Sequence, residues 1–186
     1  MATRHLQAPS PEIQHQPVRI SSPDPGWVSS YDDERAALEK AIGEWAVGGI
    51  HHVGSTAVPG LDAEPVIDIL IGTGDAAASL ACAAPLAELG YSFELRRSAE
   101  AHSLCKPHPR HRTHDLHLAP TGSRTYSEML AFRDFLRSDL QAAIGYAGMK
   151  RDLADRHGGD RRAYAAGKEA LIRTVLDRVQ GFGSAL

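Results

Sequence analysis

The sequence predicts an α+β fold, with a small sheet in the first two-thirds of the chain and a helical segment after it. Short β-branched runs, each closed by Gly, Pro or Asp, recur up to about residue 120. From Arg124 onward the apolar residues repeat at helical spacing, with no further strand signal. The chain has 186 residues, the size of one ordinary domain with a real hydrophobic core.

The elements follow in order. Residues 1–17 are polar and carry Pro9, Pro11 and Pro17, so they read as a disordered tail without a secretory signal. One domain is expected over 18–180, its sheet part reaching about 120 and its helical part covering 124–180. Val18–Ser21 reads as a short strand, punctuated by Pro23-Asp24-Pro25-Gly26. Trp27, Tyr31, Leu38, Ile42 and Trp45 mark an amphipathic helix, which Gly48-Gly49 ends. Strands are expected at Ile50–Val53 and Pro65–Ile71. Asp75 is placed to cap a helix running to about Leu89, with Pro85 as a kink. Tyr91–Arg97, Ala101–Lys106 and Thr113–Ala119 read as further strands, the last two joined by a basic, His-rich loop. Helices are expected at about 124–137, 139–156 and 160–179.

Composition narrows the function. A formal net charge of −3 does not point to nucleic acid. No apolar run approaches the ~20 residues that span a bilayer, so no membrane partner is expected. Cys82 and Cys105 lie in unlike contexts and form neither a zinc spacing nor a disulfide framework. They read as thiols of a reducing cytosol, and a cytoplasmic location is expected.

The chemistry concentrates between Ile50 and Ile71. An apolar strand stops at Gly54-Ser55, where glycine lets backbone N–H groups approach an anion closely. The next strand carries Asp68 within an isoleucine-rich run. Residues two apart in a strand share a face. Ile67, Ile69 and Ile71 therefore line the face expected to pack on helices, and Asp68 points to the more open side. In Thr113–Ala119, Asp115 and His117 share one face, and His114 joins Leu116 and Leu118 on the other as a core histidine. If the two strands are neighbours, Asp68, Asp115 and His117 converge as a divalent-metal site or as acid–base groups. Asp68 is equally placed to accept hydrogen bonds from loop N–H groups, and Asp115 and His117 to pair with each other or with Arg112. Lys106, Arg110 and Arg112, on the approach to that strand, suit a polyphosphate or form a solvated loop.

These residues resemble a known family. His52-Val53-Gly54-Ser55-Thr56-Ala57-Val58-Pro59-Gly60-Leu61, followed by Pro65-Val66-Ile67-Asp68-Ile69, is similar to the signature of the GrpB family, within the nucleotidyltransferase-fold superfamily. His114-Asp115-Leu116-His117-Leu118 resembles the family's His-rich strand, and Phe132-Arg133-Asp134-Phe135-Leu136-Arg137 its Phe-Arg-Asp-Tyr-Leu-Arg helix. Tyr146, Lys150, Tyr164 and Lys168 fall where the family places Tyr and Lys. The resemblance covers roughly Val18 to Val179. It implies a small mixed sheet flanked by helices, with a helical C-terminal part.

It also implies a chemistry: a metal-dependent nucleotidyltransferase-type enzyme moving a nucleotidyl group from a nucleoside triphosphate, ATP foremost, to a small-molecule acceptor, as in the adenylation step of a ligation. Gly54, Ser55 and Thr56 would hold phosphate, with Lys106, Arg112 and Lys168 neutralising it. Asp68, Asp115 and His117 would hold the metal or act as base. The superfamily's first strand carboxylate falls at Val66 and its third near His117. Glu64 replaces the family's common Lys, and Asp115 a common second His. With a histidine ligand, Mn or Zn is expected to serve better than Mg. A degenerate nucleotide-binding module and a metal-dependent hydrolase or lyase are the alternative readings. The C-terminal helices are expected to wall the cleft with Arg133, Lys150, Tyr164 or Lys168.

Overall fold

A computed structural model describes residues 17–93 and 101–183. The expected N-terminal tail, apart from Pro17, and the end of the strand expected at Tyr91–Arg97 lie outside the described residues. The helix α1 (Gly26–Ile42) leads into β1 (Ile50–Val53) and β2 (Ile67–Thr73). Two short helices, α2 (Ala76–Ala81) and α3 (Ala83–Glu88), precede β3 (Ser92–Phe93), β4 (His102–His108) and β5 (His111–Pro120). The helices α4 (Arg124–Ser138), α5 (Leu140–His157) and α6 (Arg161–Gly183) follow.

The five strands form one mixed sheet in the order β1-β2-β5-β4-β3. β2 and β5 run parallel, and the other neighbouring pairs are antiparallel. Alternation along β2 divides the sheet as the sequence requires. Ile67, Ile69 and Ile71 join Leu104, Leu116 and Leu118 in a buried cluster with Trp27, Leu38 and Ile42 of α1 and Leu86 of α3. On the opposite face, Tyr126, Met129 and Leu130 of α4 cover Val53, Leu70 and Ala119. α4 in turn packs on α5 and α6 through Phe132, Leu136, Tyr146 and Leu176, with Val58 and Leu61 of the β1–β2 connection in the same cluster.

Three expectations are corrected. Val18–Ser21 is not a strand. Its only ladder contact among the described residues is a single antiparallel bridge from Ser21 to Ala63. The helix expected from Asp75 to Leu89 breaks at Cys82, before Pro85. A proline lacks the N–H that a continuous helix would bond, but it is tolerated in a first turn, where Pro85 now sits. The basic loop from Pro107 to Arg112 is mostly strand, because β4 extends to His108 and β5 begins at His111.

Candidate functional site

The parallel register sets Asp68 beside Asp115 and Leu70 beside His117. Partnered residues share a face, so the three expected ligands stand on the sheet face opposite the isoleucines. α4 covers the far end of that face. The end holding Asp68 is left to the Gly54-Ser55 turn and to α5 and α6.

Gly54 has φ 69° and ψ −168°, a backbone region open essentially to glycine alone. A Cβ there would stand 2.2 Å from Asp68 Oδ2. The turn is therefore folded directly onto the carboxylate, at a distance that only a missing side chain permits. Ser55 opens a short 3₁₀ turn, Ser55–Ala57, with the buried Tyr146 of α5 near its hydroxyl. Two arginines of α4 hold the turn's backbone. Arg133 Nη1 donates to the His52 carbonyl at 3.1 Å, and Arg137 donates twice to the Ala57 carbonyl, at 3.0 and 2.8 Å.

Asp68 is half-buried, and His117 Nε2 lies 3.8 Å from its Oδ1. The other ring nitrogen of His117 is 3.4 Å from Ser103 Oγ on β4. Burial alone would raise the Asp68 pKa. The His117 imidazole, and then the charges of Lys168 and Arg112, outweigh that and hold it below the usual carboxylate value. Asp68 is therefore an anion at neutral pH, with His117 as its near neighbour and the charges of Lys168 and Arg112 acting on it.

α5 and α6 present two Tyr-x-x-x-Lys pairs to this region. Helical spacing puts residues four apart on one face, so each lysine lies over its own tyrosine ring, at 4.6 Å for Lys150 on Tyr146 and 4.8 Å for Lys168 on Tyr164. Lys150 is fully buried and donates to the Asp62 carbonyl at 2.5 Å. Burial, and then the charge of Lys168, lower its pKa to about 7. Lys168 lies 3.6 Å from Glu64, and Arg161 donates to the same carboxylate at 3.0 Å. The tyrosine pKa values are raised, first by burial; beyond burial, Glu64 raises that of Tyr164, whereas the nearby Ser55 hydroxyl partly offsets the rise at Tyr146.

Several expected site residues stand elsewhere. Lys106 pairs in register with His114, which places it on the isoleucine face. There it forms an ion pair with the buried Glu34 and lies 5.1 Å over the Tyr91 ring. It does not reach Asp68. The bulge between Lys106 and Pro107 was not visible in the sequence. Thr56 is buried, and its hydroxyl lies 3.0 Å from His52 Nε2 and donates to the Val66 carbonyl at 3.3 Å. It serves the β1–β2 connection rather than an anion. Arg112 Nη1 donates to Asp115 Oδ2 at 2.8 Å, which draws Asp115 toward Arg112. Arg133 is a backbone clamp. His114, on the isoleucine face, lies 4.0 Å from Glu34, and burial lowers its pKa.

The sequence profile of the GrpB protein family matches residues 17–178. The chain belongs to the GrpB family. A UPF0157 protein of Pseudomonas aeruginosa is 36% identical over 166 residues, covering 87% of this chain and 67% of that protein. A UPF0157 protein of Halalkalibacterium halodurans is 32% identical, covering 83% of this chain and 78% of its own. The crystal structure of the conserved protein GrpB from Enterococcus faecalis is similar with a TM-score of 0.78 at 27% identity, over 87% of this chain and 96% of that one. This GrpB-family chain thus shares its mixed sheet and helical C-terminal part with a solved family member.

The donor set decides how a metal would fit. Among the described residues, no group of three His, Cys, Asp or Glu side chains is close enough to hold a metal ion. The expected triad is not assembled, because Asp115 is engaged by Arg112. Asp68 and His117 fit at most one ion that brings further ligands with it, as a metal–triphosphate does. The sequence alone did not mark Arg161 as a partner of Glu64; the one available signal was charge complementarity between Glu64 and the start of α6.

Proposed function

We propose that this chain binds a nucleoside triphosphate, ATP foremost, beneath the Gly54-Ser55 turn and transfers its nucleotidyl group to a small-molecule acceptor. The observation that carries this reading is the turn closed on Asp68 with Lys168 beside it. A glycine-shaped turn, a strand carboxylate and a helix-borne cation together suit a phosphate chain that must be gripped and aimed.

In this reading the Ser55 hydroxyl and the turn's N–H groups bind phosphate oxygens, and Lys168 neutralises their charge. The acceptor O–H bond breaks as its proton passes to the Asp68–His117 pair. The acceptor oxygen forms a bond to the α-phosphorus, and the bond from that phosphorus to the pyrophosphate oxygen breaks. A divalent ion bound with the triphosphate would polarise the α-phosphate and stabilise the departing pyrophosphate. Its mixed oxygen and nitrogen donors favour Mn or Zn over Mg. Nothing in the reading needs a membrane or a nucleic acid. No helix among the described residues is long and apolar enough to cross a bilayer. Cys82 and Cys105 are free thiols, which suits a cytoplasmic site.

The diversion of Asp115 to Arg112 favours a second reading, a module that binds nucleotide without turning it over. A thermal-shift titration with ATP and Mn, run beside a pyrophosphate-release assay, separates the two. ATP binding with release supports the enzyme, and binding without release supports the module. Lys168→Ala should weaken ATP about tenfold, the loss of one charge-assisted contact. An unshifted melting temperature at millimolar ATP would end both readings.

A further inference from the structure

A second concavity adjoins this site. It encloses about 370 Å³ at the N-terminal ends of β2 and β5 and is lined by Arg19, Arg110, Arg112 and Arg161 together with Glu64 and Pro65. We propose that this groove is an anion site that seats the acceptor, a small molecule bearing a phosphate or several carboxylates.

The four arginines come from three distant parts of the chain. Arg19 lies in the N-terminal segment, Arg110 in the β4–β5 turn and Arg112 at the start of β5, and Arg161 opens α6. Four arginines lining one hollow raise the positive potential there and favour an anion. Glu64 compensates one, through Arg161, and Asp115 another, through Arg112. Two positive charges are left over, in a chain whose overall charge is −3. Arg19 and Arg110 are the exposed pair, and neither makes an ion pair among the described residues. A groove of this size admits a metabolite-sized ligand. Guanidinium groups, which present fixed forks of N–H donors, suit phosphate and carboxylate oxygens.

The wall is also held in place before any ligand arrives. The segment carrying Arg19 is pinned on both sides. Val18 N–H donates to the Gly158 carbonyl at 2.9 Å, and Ser21 pairs with Ala63. Val18 itself is buried against Leu153 and Tyr164. Pro17, Pro65 and Pro109 line the groove with fixed φ angles. Such preorganisation lowers the entropic cost of binding. Glu64 is the shared wall: its carboxylate meets Arg161 in the groove and Lys168 on the nucleotide side. An anion in the groove thus lies next to the phosphate site without occupying it.

The role as acceptor site rests on the nucleotide reading above; the anion site itself does not. The test titrates inorganic phosphate and citrate separately into the full chain by calorimetry, without nucleotide. Binding is expected at millimolar concentration or tighter, and it should fall about tenfold for each of Arg19→Ala and Arg110→Ala, the loss of one charge-assisted contact apiece. Both residues are exposed, so melting temperatures should stay unchanged. Lys168→Ala should leave citrate affinity intact while weakening ATP and any phosphate held at the Gly54-Ser55 turn. Preference for phosphate or for citrate names the acceptor's anionic group. Absence of binding, or affinity that survives the Arg19→Ala/Arg110→Ala double variant, would overturn the site. A single-stranded oligonucleotide that binds more tightly than phosphate and loses affinity in the same double variant would overturn the small-molecule acceptor. Should ATP fail to bind while citrate does, the nucleotide reading falls and the anion site stands.

Discussion

Replacing Gly54 by alanine tests the contact on which the site is built. Two costs add. The backbone conformation at φ 69°, ψ −168° costs a residue with a Cβ about 1–3 kcal/mol. The new methyl would also stand 2.2 Å from Asp68 Oδ2 and 2.8 Å from Asp68 Cβ. The Cβ is fixed to the β2 backbone and cannot swing aside, so either the strand or the turn must shift, an overpacking cost of about 1–3 kcal/mol. Together these give about 2–6 kcal/mol, a large share of an ordinary domain's stability. Gly60 supplies the control. Its φ is +74°, yet a Cβ there meets nothing within 4 Å. Gly60→Ala should cost only the backbone penalty of about 1–2 kcal/mol. Urea melts of both variants measure the difference directly. Repeating Gly54→Ala in an Asp68→Ala background should recover part of the loss, because the Oδ2 contact is gone. Equal costs at Gly54 and Gly60, with no recovery, would refute the claim that the turn is folded onto Asp68.

Further expectations follow from the same geometry. The Lys150 pKa falls from 10.5 to about 7 on folding, so its stability contribution is complete above pH 10.5 and is lost as pH falls toward 7. Unfolding free energies from urea melts should therefore rise with pH across that window by up to about 5 kcal/mol in the wild type, and Lys150→Met should flatten the slope; equal slopes in the two proteins would show that the lysine is not desolvated. Lys106→Ala should destabilise the fold by about 3 kcal/mol by leaving Glu34 buried without its cation, while ATP affinity, read by thermal shift, stays unchanged. Arg137→Ala removes two bonds to the Ala57 carbonyl and should cost about 2 kcal/mol in urea, with weaker ATP binding because the turn loses its brace.

How much of this was legible in the sequence depended on range. The isoleucine face of β2 and the opposite face of Asp68 were readable because strand alternation is local and the run is uninterrupted. The core placement of His114 followed from the same period. Lys106 stands away from Asp68 because it shares the face of Leu104 and pairs with His114, a cross-strand register that the sequence does not show, whereas the bulge that follows it re-aims Arg112. The engagement of Thr56 with His52 depends on a 3₁₀ turn that no residue in the motif announces. The arginine groove was legible only in part: Arg110 and Arg112 belong to the basic loop read as suiting a polyphosphate, whereas Arg19 and Arg161 join them only in the folded chain.

The parallel pairing of β2 with β5 also has a consequence for how the protein becomes competent. Asp68 and His117 belong to strands joined by a crossover that carries α2, α3, β3 and β4. Hairpins such as β1–β2 and β4–β5 close over fewer residues and can form early. The β2–β5 ladder must wait for a long loop to close, a step whose entropy is recovered only when the strands dock. The Asp68–His117 contact is thus expected to form late in folding, after the hairpins that carry its two partners. Binding chemistry at this site would then serve as a read-out of the last topological step, appearing in a refolding trace after the helical signal has levelled off.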